Sequence, residues 1–271
     1  MSKIALSGAG GIVGSLLRTG LRARGHDLRV AGFEPLVPLS PDEDLVHGDL
    51  REPAVVDRLL AGTEVLIHLA GTSVEKPLPE IIDNNLRALV EVYEGARRHG
   101  VRRVVFASSN HAFGMYPVEQ KLRLDSEFRP DGFYGLSKAW GEAMGRLYWD
   151  KHGIEGIALR IGTCMGRPPE NLRQLSTWLG TEDMLHLIER CIAAPAVGYT
   201  AVWGISNNRR AYYDLSQANA IGYRPVQDAE DWAAQILAQP DTADAVARQF
   251  QGGAFASHDY TPAHLRRGGA A

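Results

Sequence analysis

Tyr134 and Lys138 stand four residues apart in "FYGLSKAWGEA", so on a helix they share one face. A phenol with a pKa of about 10 is a poor base at neutral pH, but a neighbouring ammonium favours the phenolate. The pair predicts a general base with a lowered tyrosine pKa, acting on a substrate hydroxyl. Alone, this spacing also fits the outer face of any amphipathic helix.

A second polar group lies upstream. In "VVFASSNHAFG" an apolar strand ends abruptly in Ser108, Ser109, Asn110 and His111. Ligands of open parallel sheets bind outside the carboxyl ends of the strands. That placement turns Ser109, Asn110 and His111 toward the ligand site. The plain alternative is that Asn110 and His111 cap the next turn.

A third group opens the chain. "SGAGGIVG" sets Gly8, Gly11 and Gly14 between a strand and a helix. Such glycines let backbone approach a pyrophosphate at a helix N-terminus, and the Lys138 ammonium can hold the nicotinamide ribose of a dinucleotide bound there. The second strand ends in "VAGFEP", where Gly32 takes the place of an expected acid. Glu34 follows two positions on and can reach the ribose hydroxyls. No Lys or Arg is there for a 2′-phosphate, which favours NAD over NADP. In "GDL", Asp49 and Leu50 suit the adenine amino group and ring face, though Asp49 serves equally as a helix N-cap.

These groups need a scaffold. Short apolar runs at Lys3 to Ser7, Arg29 to Phe33, Leu45 to Gly48, Val65 to Leu69, Arg103 to Ala107 and Gly156 to Ile161 predict strands. Amphipathic stretches at 12–24, 53–61, 79–99 and 134–152 predict helices between them. The alternation predicts a Rossmann-type α/β fold, a doubly wound parallel sheet with helices on both faces. Beyond residue 162, proline and glycine cluster in "GRPPEN", "APAVGY" and "GYRP", with helices expected at 181–193, 214–221 and 229–238. The expectation is one Rossmann domain over 1–271. Residues from about 163 onward would form a small substrate cap, and the tail after Gly252 would be partly mobile.

Composition narrows the partners. The 271 residues are 45% hydrophobic and 23% charged, with net charge −3, which argues against a nucleic-acid or membrane surface. Cys164 and Cys191 make no disulfide framework, the N-terminus carries no signal-peptide pattern, and no apolar run approaches the ~20 residues of a membrane span. A cytoplasmic setting is expected. No His/Cys/Asp cluster has ligand spacing, so no metal is expected.

Taken together, the glycine motif, "HLAG" (68–71), Ser109 and Tyr134/Lys138 resemble the short-chain dehydrogenase/reductase superfamily, of extended-like type. Longer blocks resemble the uronate dehydrogenase family: "GTSVEKP" (71–77), "VFASSNH" (105–111), "YGLSK" (134–138), "RIGTC" (160–164), "LSTW" (175–178), "AVWGISNN" (201–208) and "FQGGAF" (250–255). The resemblance implies NAD-dependent oxidation of D-glucuronate or D-galacturonate at C1 to an aldaro-1,5-lactone, in a homo-oligomer. It implies that Tyr134, Lys138 and Ser109 are catalytic, with Asn85 supporting the lysine and a proton-relay water. Ile12, Leu69, Ala70 and Gly71 would line the cofactor. Ser109 would donate to the reacting oxygen, Asn110 and His111 would bind sugar hydroxyls, and Ser73, Thr163 and Arg173 would contact substrate, Arg173 by gripping the carboxylate. The alternatives are a dehydrogenase of another aldose or a sugar phosphate, and a nucleotide-sugar epimerase, for which about 110 residues after "RIG" is little.

Overall fold

The computed structural model describes residues 3–216 and 218–262. The apolar runs pair into one seven-stranded parallel sheet in the order β3-β2-β1-β4-β5-β6-β7. The strands are β1 (Ile4–Ser7), β2 (Leu28–Gly32), β3 (Asp44–His47), β4 (Val65–His68), β5 (Arg103–Ser109), β6 (Glu155–Ile161) and β7 (Tyr199–Gly204). Strands β1, β4 and β5 are buried along their whole length, as a sheet covered on both faces requires. The chain winds outward in opposite directions from β1 and β4. That pair, in register from Ile4/Val65 to Ser7/His68, is the switch point where such sheets bind ligands.

Helix α1 (Ile12–Ala23) covers one face of the sheet, and α2 (Pro53–Leu60) lies on the other. Helix α3 (78–99) joins α2 there, and α4 (Phe133–His152) packs along β5 and β6. Helix α5 (Thr181–Ala193) returns to the α1 side, where Leu185 and Ile188 join Leu17 and Leu21 in one core. Arg103, 0% exposed at the start of β5, fastens this layer to the sheet. Its guanidinium donates to Glu155 and to the carbonyls of Cys191, Ile192, Ala194 and Pro195, satisfying oxygens that the end of α5 leaves open.

Two features depart from the sequence reading. The sheet has a seventh strand: β7 is half-exposed at its start and sits at the sheet edge, so its residues do not form a clean apolar run. The expected helix at 214–221 is only a 3-10 turn at Ala218–Ile221, with Gln217 outside the described residues. The described part of the tail after Gly252 packs against His111. Ala254–Ser257 form a helical turn, and Phe255 stacks on His111 with ring centroids 4.0 Å apart. Residues 263–271 lie outside the described residues. Among the described residues no helix is long and apolar enough to cross a membrane.

Candidate active site

The three glycines of the first turn have three different physical roles. Gly8 has φ +73°, and a Cβ there would sit 2.7 Å from the Ala70 nitrogen. A Cβ on Gly14 would overlap the Gly8 carbonyl, so Gly14 allows α1 to press against β1. Gly11 is exposed, and its Cβ would meet only the Gly8 oxygen at 3.5 Å, which leaves backbone open to a ligand. Tight turn, open approach and close packing are the division of labour of a pyrophosphate loop. Gly11 is also the N-cap of α1, with no side-chain cap bond and no acid in the first turn, so the first N–H groups and the positive dipole end face outward beside exposed Ile12. These residues fit a dinucleotide.

At the adenosine end the fit is looser. Glu34 is exposed, and the side chain of Leu36 crowds Gly32: a Cβ there would lie 2.9 Å from Leu36 Cγ. Leu50 is buried. Asp49 is not the N-cap of α2, a position held by Glu52. Its carboxylate instead accepts from the Arg51 amide at 2.9 Å and from the Arg51 guanidinium. The short turn before α2 separates Asp49 from the helix start.

Tyr134 lies in the first turn of α4, beside the carboxyl end of β5, and is buried. The Lys138 Nζ is 5.5 Å from its ring centroid and donates to the Ala107 carbonyl at 2.8 Å. The tyrosine pKa moves opposite to expectation. Burial pushes the phenol up to about 12, a hydrogen bond with Ser109 pulls it down, and the Asp131 carboxylate pushes it up again. Burial also drops the Lys138 ammonium from 10.5 to about 8. Burial is the largest of the influences on the phenol, and Lys138 is not among them.

Asn85 also has a different set of partners. It sits in a widened π-helical stretch of α3, Ile82–Arg87. Its Oδ1 accepts from the Thr72 amide at 2.7 Å, and its Nδ2 donates to the Thr72 carbonyl and to Ser137 Oγ. Ser137 in turn donates to the Tyr134 carbonyl at 2.7 Å. Asn85 thus ties the loop after β4 to the tyrosine's helix, and its side-chain bonds go to Thr72 and Ser137 instead of Lys138. Gly71, with φ +125°, makes room for it: a Cβ there would lie 2.8 Å from Asn85 Oδ1.

The polar run after β5 divides its work. Ser109, not Asn110 or His111, caps the following turn, accepting from the His111 amide at 3.1 Å. Asn110 donates to the Tyr213 hydroxyl at 3.0 Å, and His111 Nδ1 meets Asp131 Oδ2 at 2.6 Å. Thr163, at the end of β6, bonds Thr177 Oγ1 at 2.9 Å, while Ser73 is exposed on the loop after β4. Arg173 donates Nε to the Gln251 carbonyl at 2.6 Å, and its Nη2 is buried with no hydrogen-bond partner among the described residues. A buried donor of that kind requires an acceptor. "FQGGAF" builds this wall: Gln251 orients Arg173, Gly253 packs on its side chain and Phe255 covers His111.

Sequence reasoning missed Glu75, Asp131, Gln251 and Phe255 as parts of the site. Glu75 is the clearest case. Its carboxylate accepts from the amides of Phe133 at 2.8 Å and Tyr134 at 2.9 Å, capping α4 from a loop far back in the chain. Cap signals are sought next to a helix, and this one is not local.

A serine–tyrosine–lysine group beside a dinucleotide loop is the arrangement of a short-chain oxidoreductase. The sequence profile of the NAD dependent epimerase/dehydratase family matches residues 4–216. The chain is 40% identical over 257 residues to uronate dehydrogenase of Pseudomonas putida, covering 94% of this chain and 96% of that one. It is 41% identical over 258 residues to uronate dehydrogenase of Agrobacterium fabrum, covering 94% and 97%. A crystal structure of a uronate dehydrogenase mutant from Agrobacterium tumefaciens complexed with NAD superposes with TM-score 0.89 at 40% identity, covering 95% of this chain and 97% of that one. The chain belongs to the NAD dependent epimerase/dehydratase family and, within it, to the uronate dehydrogenases.

Proposed function

We propose that the protein oxidises D-glucuronate or D-galacturonate at C1 to the corresponding aldaro-1,5-lactone. The observation that carries this reading is Arg173. Its buried Nη2, without a hydrogen-bond partner among the described residues, shares the 251–255 wall with His111, where a carboxylate would satisfy it. NAD, when bound, would supply the hydride acceptor. Gly8, Gly11, Ile12 and Gly14 hold its pyrophosphate, Glu34 the adenosine ribose, and Asp49 and Leu50 the adenine. Leu69, Ala70 and Gly71 line its path, and Lys138 holds the nicotinamide ribose.

In the mechanism, Ser109 donates to the C1 oxygen while Tyr134 removes its proton. Lys138 favours the phenolate, and Asn85 holds the loop and helix that frame it. Asn110, His111, Ser73 and Thr163 orient the sugar, and Arg173 grips the carboxylate. The ring oxygen stays in place, so the product is the 1,5-lactone. Residues from about 163 onward act as the substrate cap of one Rossmann domain, and the enzyme works as a cytoplasmic homo-oligomer. The test is cofactor reduction across glucuronate, galacturonate, glucose, galactose, glucose 6-phosphate and a UDP-sugar. Turnover confined to the two uronates supports the reading; preference for a phosphate or nucleotide sugar refutes it.

A further inference from the structure

Three glycines make room for one buried carboxylate. The Asp131 side chain is 0% exposed. A Cβ on Gly114 or on Gly252 would overlap its carboxyl group, and a Cβ on Gly135 would sit 3.1 Å from Oδ1. The turn after β5, the first turn of α4 and the C-terminal segment therefore leave a space that a single anion fills. Oδ2 takes the Nδ1 of His111 at 2.6 Å, while Oδ1 has no hydrogen-bond partner among the described residues. Burying a half-satisfied ion is costly, and an apolar side chain would serve packing better. The carboxylate's one side-chain hydrogen bond among the described residues is to His111, so that ring is what it acts on.

We propose that Asp131 is a positioning residue of the sugar site: by accepting the Nδ1 proton it fixes His111 in one tautomer and one orientation, leaving Nε2 as an acceptor for a sugar hydroxyl. The proposal rests on the uronate reading, since it takes His111 to be a sugar ligand. Which nitrogen of a neutral imidazole carries the proton is set by the bond the other groups make to it. The remaining contacts allow the ring little freedom. Phe255 stacks on it at 4.0 Å, the Tyr134 ring lies 5.8 Å away, and the His111 amide is held by Ser109. The charged groups facing it are Asp131, Glu75 and Arg173. Burial disfavours the imidazolium most, the two carboxylates favour it and Arg173 opposes it; the balance keeps the ring's pKa below its ordinary value, so the ring is neutral at neutral pH.

The test uses Asp131→Asn, which is nearly isosteric, so it fits among the glycines, but its amide can donate to Nδ1 as well as accept from it. Glucuronate kcat/KM should fall about 10–100-fold, mostly through KM, with NADH affinity and Tm little changed. In the wild type, the long-range proton–nitrogen spectrum of His111, assigned with His111→Gln, should show the proton on Nδ1 alone; Asp131→Asn should show both tautomers. Wild-type kcat/KM in the folded variant overturns the proposal, as does equal loss of NADH affinity and activity. A wild-type spectrum with the proton on Nε2 overturns it too, and decides the matter if the variant does not fold. A wild type that turns over no uronate refutes the uronate reading instead, a result distinct from each of these.

Discussion

Lys138→Met should make the ligand-free protein more stable at neutral pH while destroying its activity. The Lys138 ammonium is buried, and burial alone lowers its pKa from 10.5 to about 8. At 1.36 kcal/mol per pH unit, that gap is a penalty of ~3 kcal/mol for holding the charge in the folded state. Methionine has similar length and no charge, but it abandons the 2.8 Å bond to the Ala107 carbonyl, worth ~1 kcal/mol. The net gain is ~2 kcal/mol, or roughly 4–8 °C in Tm for a chain of this size. The pH dependence fixes the sign. Because the folded pKa is the lower one, the unfolded chain binds more protons between about pH 8 and 10.5, and wild-type stability rises with pH across that window. The variant lacks that rise, so its advantage is full below about pH 8 and gone by about pH 10.5. Calorimetry of both proteins without cofactor, at neutral pH and at about pH 10, measures this. A variant less stable than wild type at neutral pH, or a difference independent of pH, would refute the reasoning.

Other outcomes follow from the same geometry. Tyr134→Phe should keep the fold and NAD binding and lose about 10²–10⁴-fold in kcat, read by steady-state kinetics beside a cofactor titration; near-wild-type turnover would remove Tyr134 from its role. Glu75→Ala strips two acceptors from the N-terminus of α4, so stability should fall by ~1–2 kcal/mol, or roughly 2–8 °C in Tm. Its kcat should fall too, because the frayed turn carries Tyr134, and an unchanged melting curve would show the cap to be idle. Gly32→Asp should lower the use of NADP relative to NAD, but with a falling Tm, because its Cβ would lie 2.9 Å from Leu36 Cγ and 3.0 Å from the Glu34 oxygen. A rise in NADP activity would contradict the assignment of that strand end to the adenosine ribose.

What the sequence revealed divides along a physical line. Strands β1, β4 and β5 are fully buried, so their apolar runs are continuous and readable. Strand β7 is half-buried at an edge, where Tyr199 and Thr200 break the pattern. The glycine loop and the Tyr134/Lys138 spacing are local, and both sit where they were expected. Glu75, Asp131, Gln251 and Phe255 act only through contacts between segments remote in the chain. No periodicity or cap rule records such contacts. The Tyr134 pKa failed for a related reason: the spacing places an ammonium one turn away but says nothing of the burial that governs the phenol.

The central claim is that Arg173 grips a substrate carboxylate, and one comparison tests it most directly: kcat/KM of wild type and Arg173→Ala on glucuronate and on glucose. Losing a buried guanidinium–carboxylate pair should weaken glucuronate oxidation by about 2–5 kcal/mol, much of it the cost of stranding the carboxylate. Arg173→Lys, which keeps charge but not the planar fork, should fall between the two. Glucose has no carboxylate to lose, so its kcat/KM, however low, should barely change. Equal losses on glucuronate and glucose would contradict the account, for Arg173 would then support the 251–255 wall without binding the substrate.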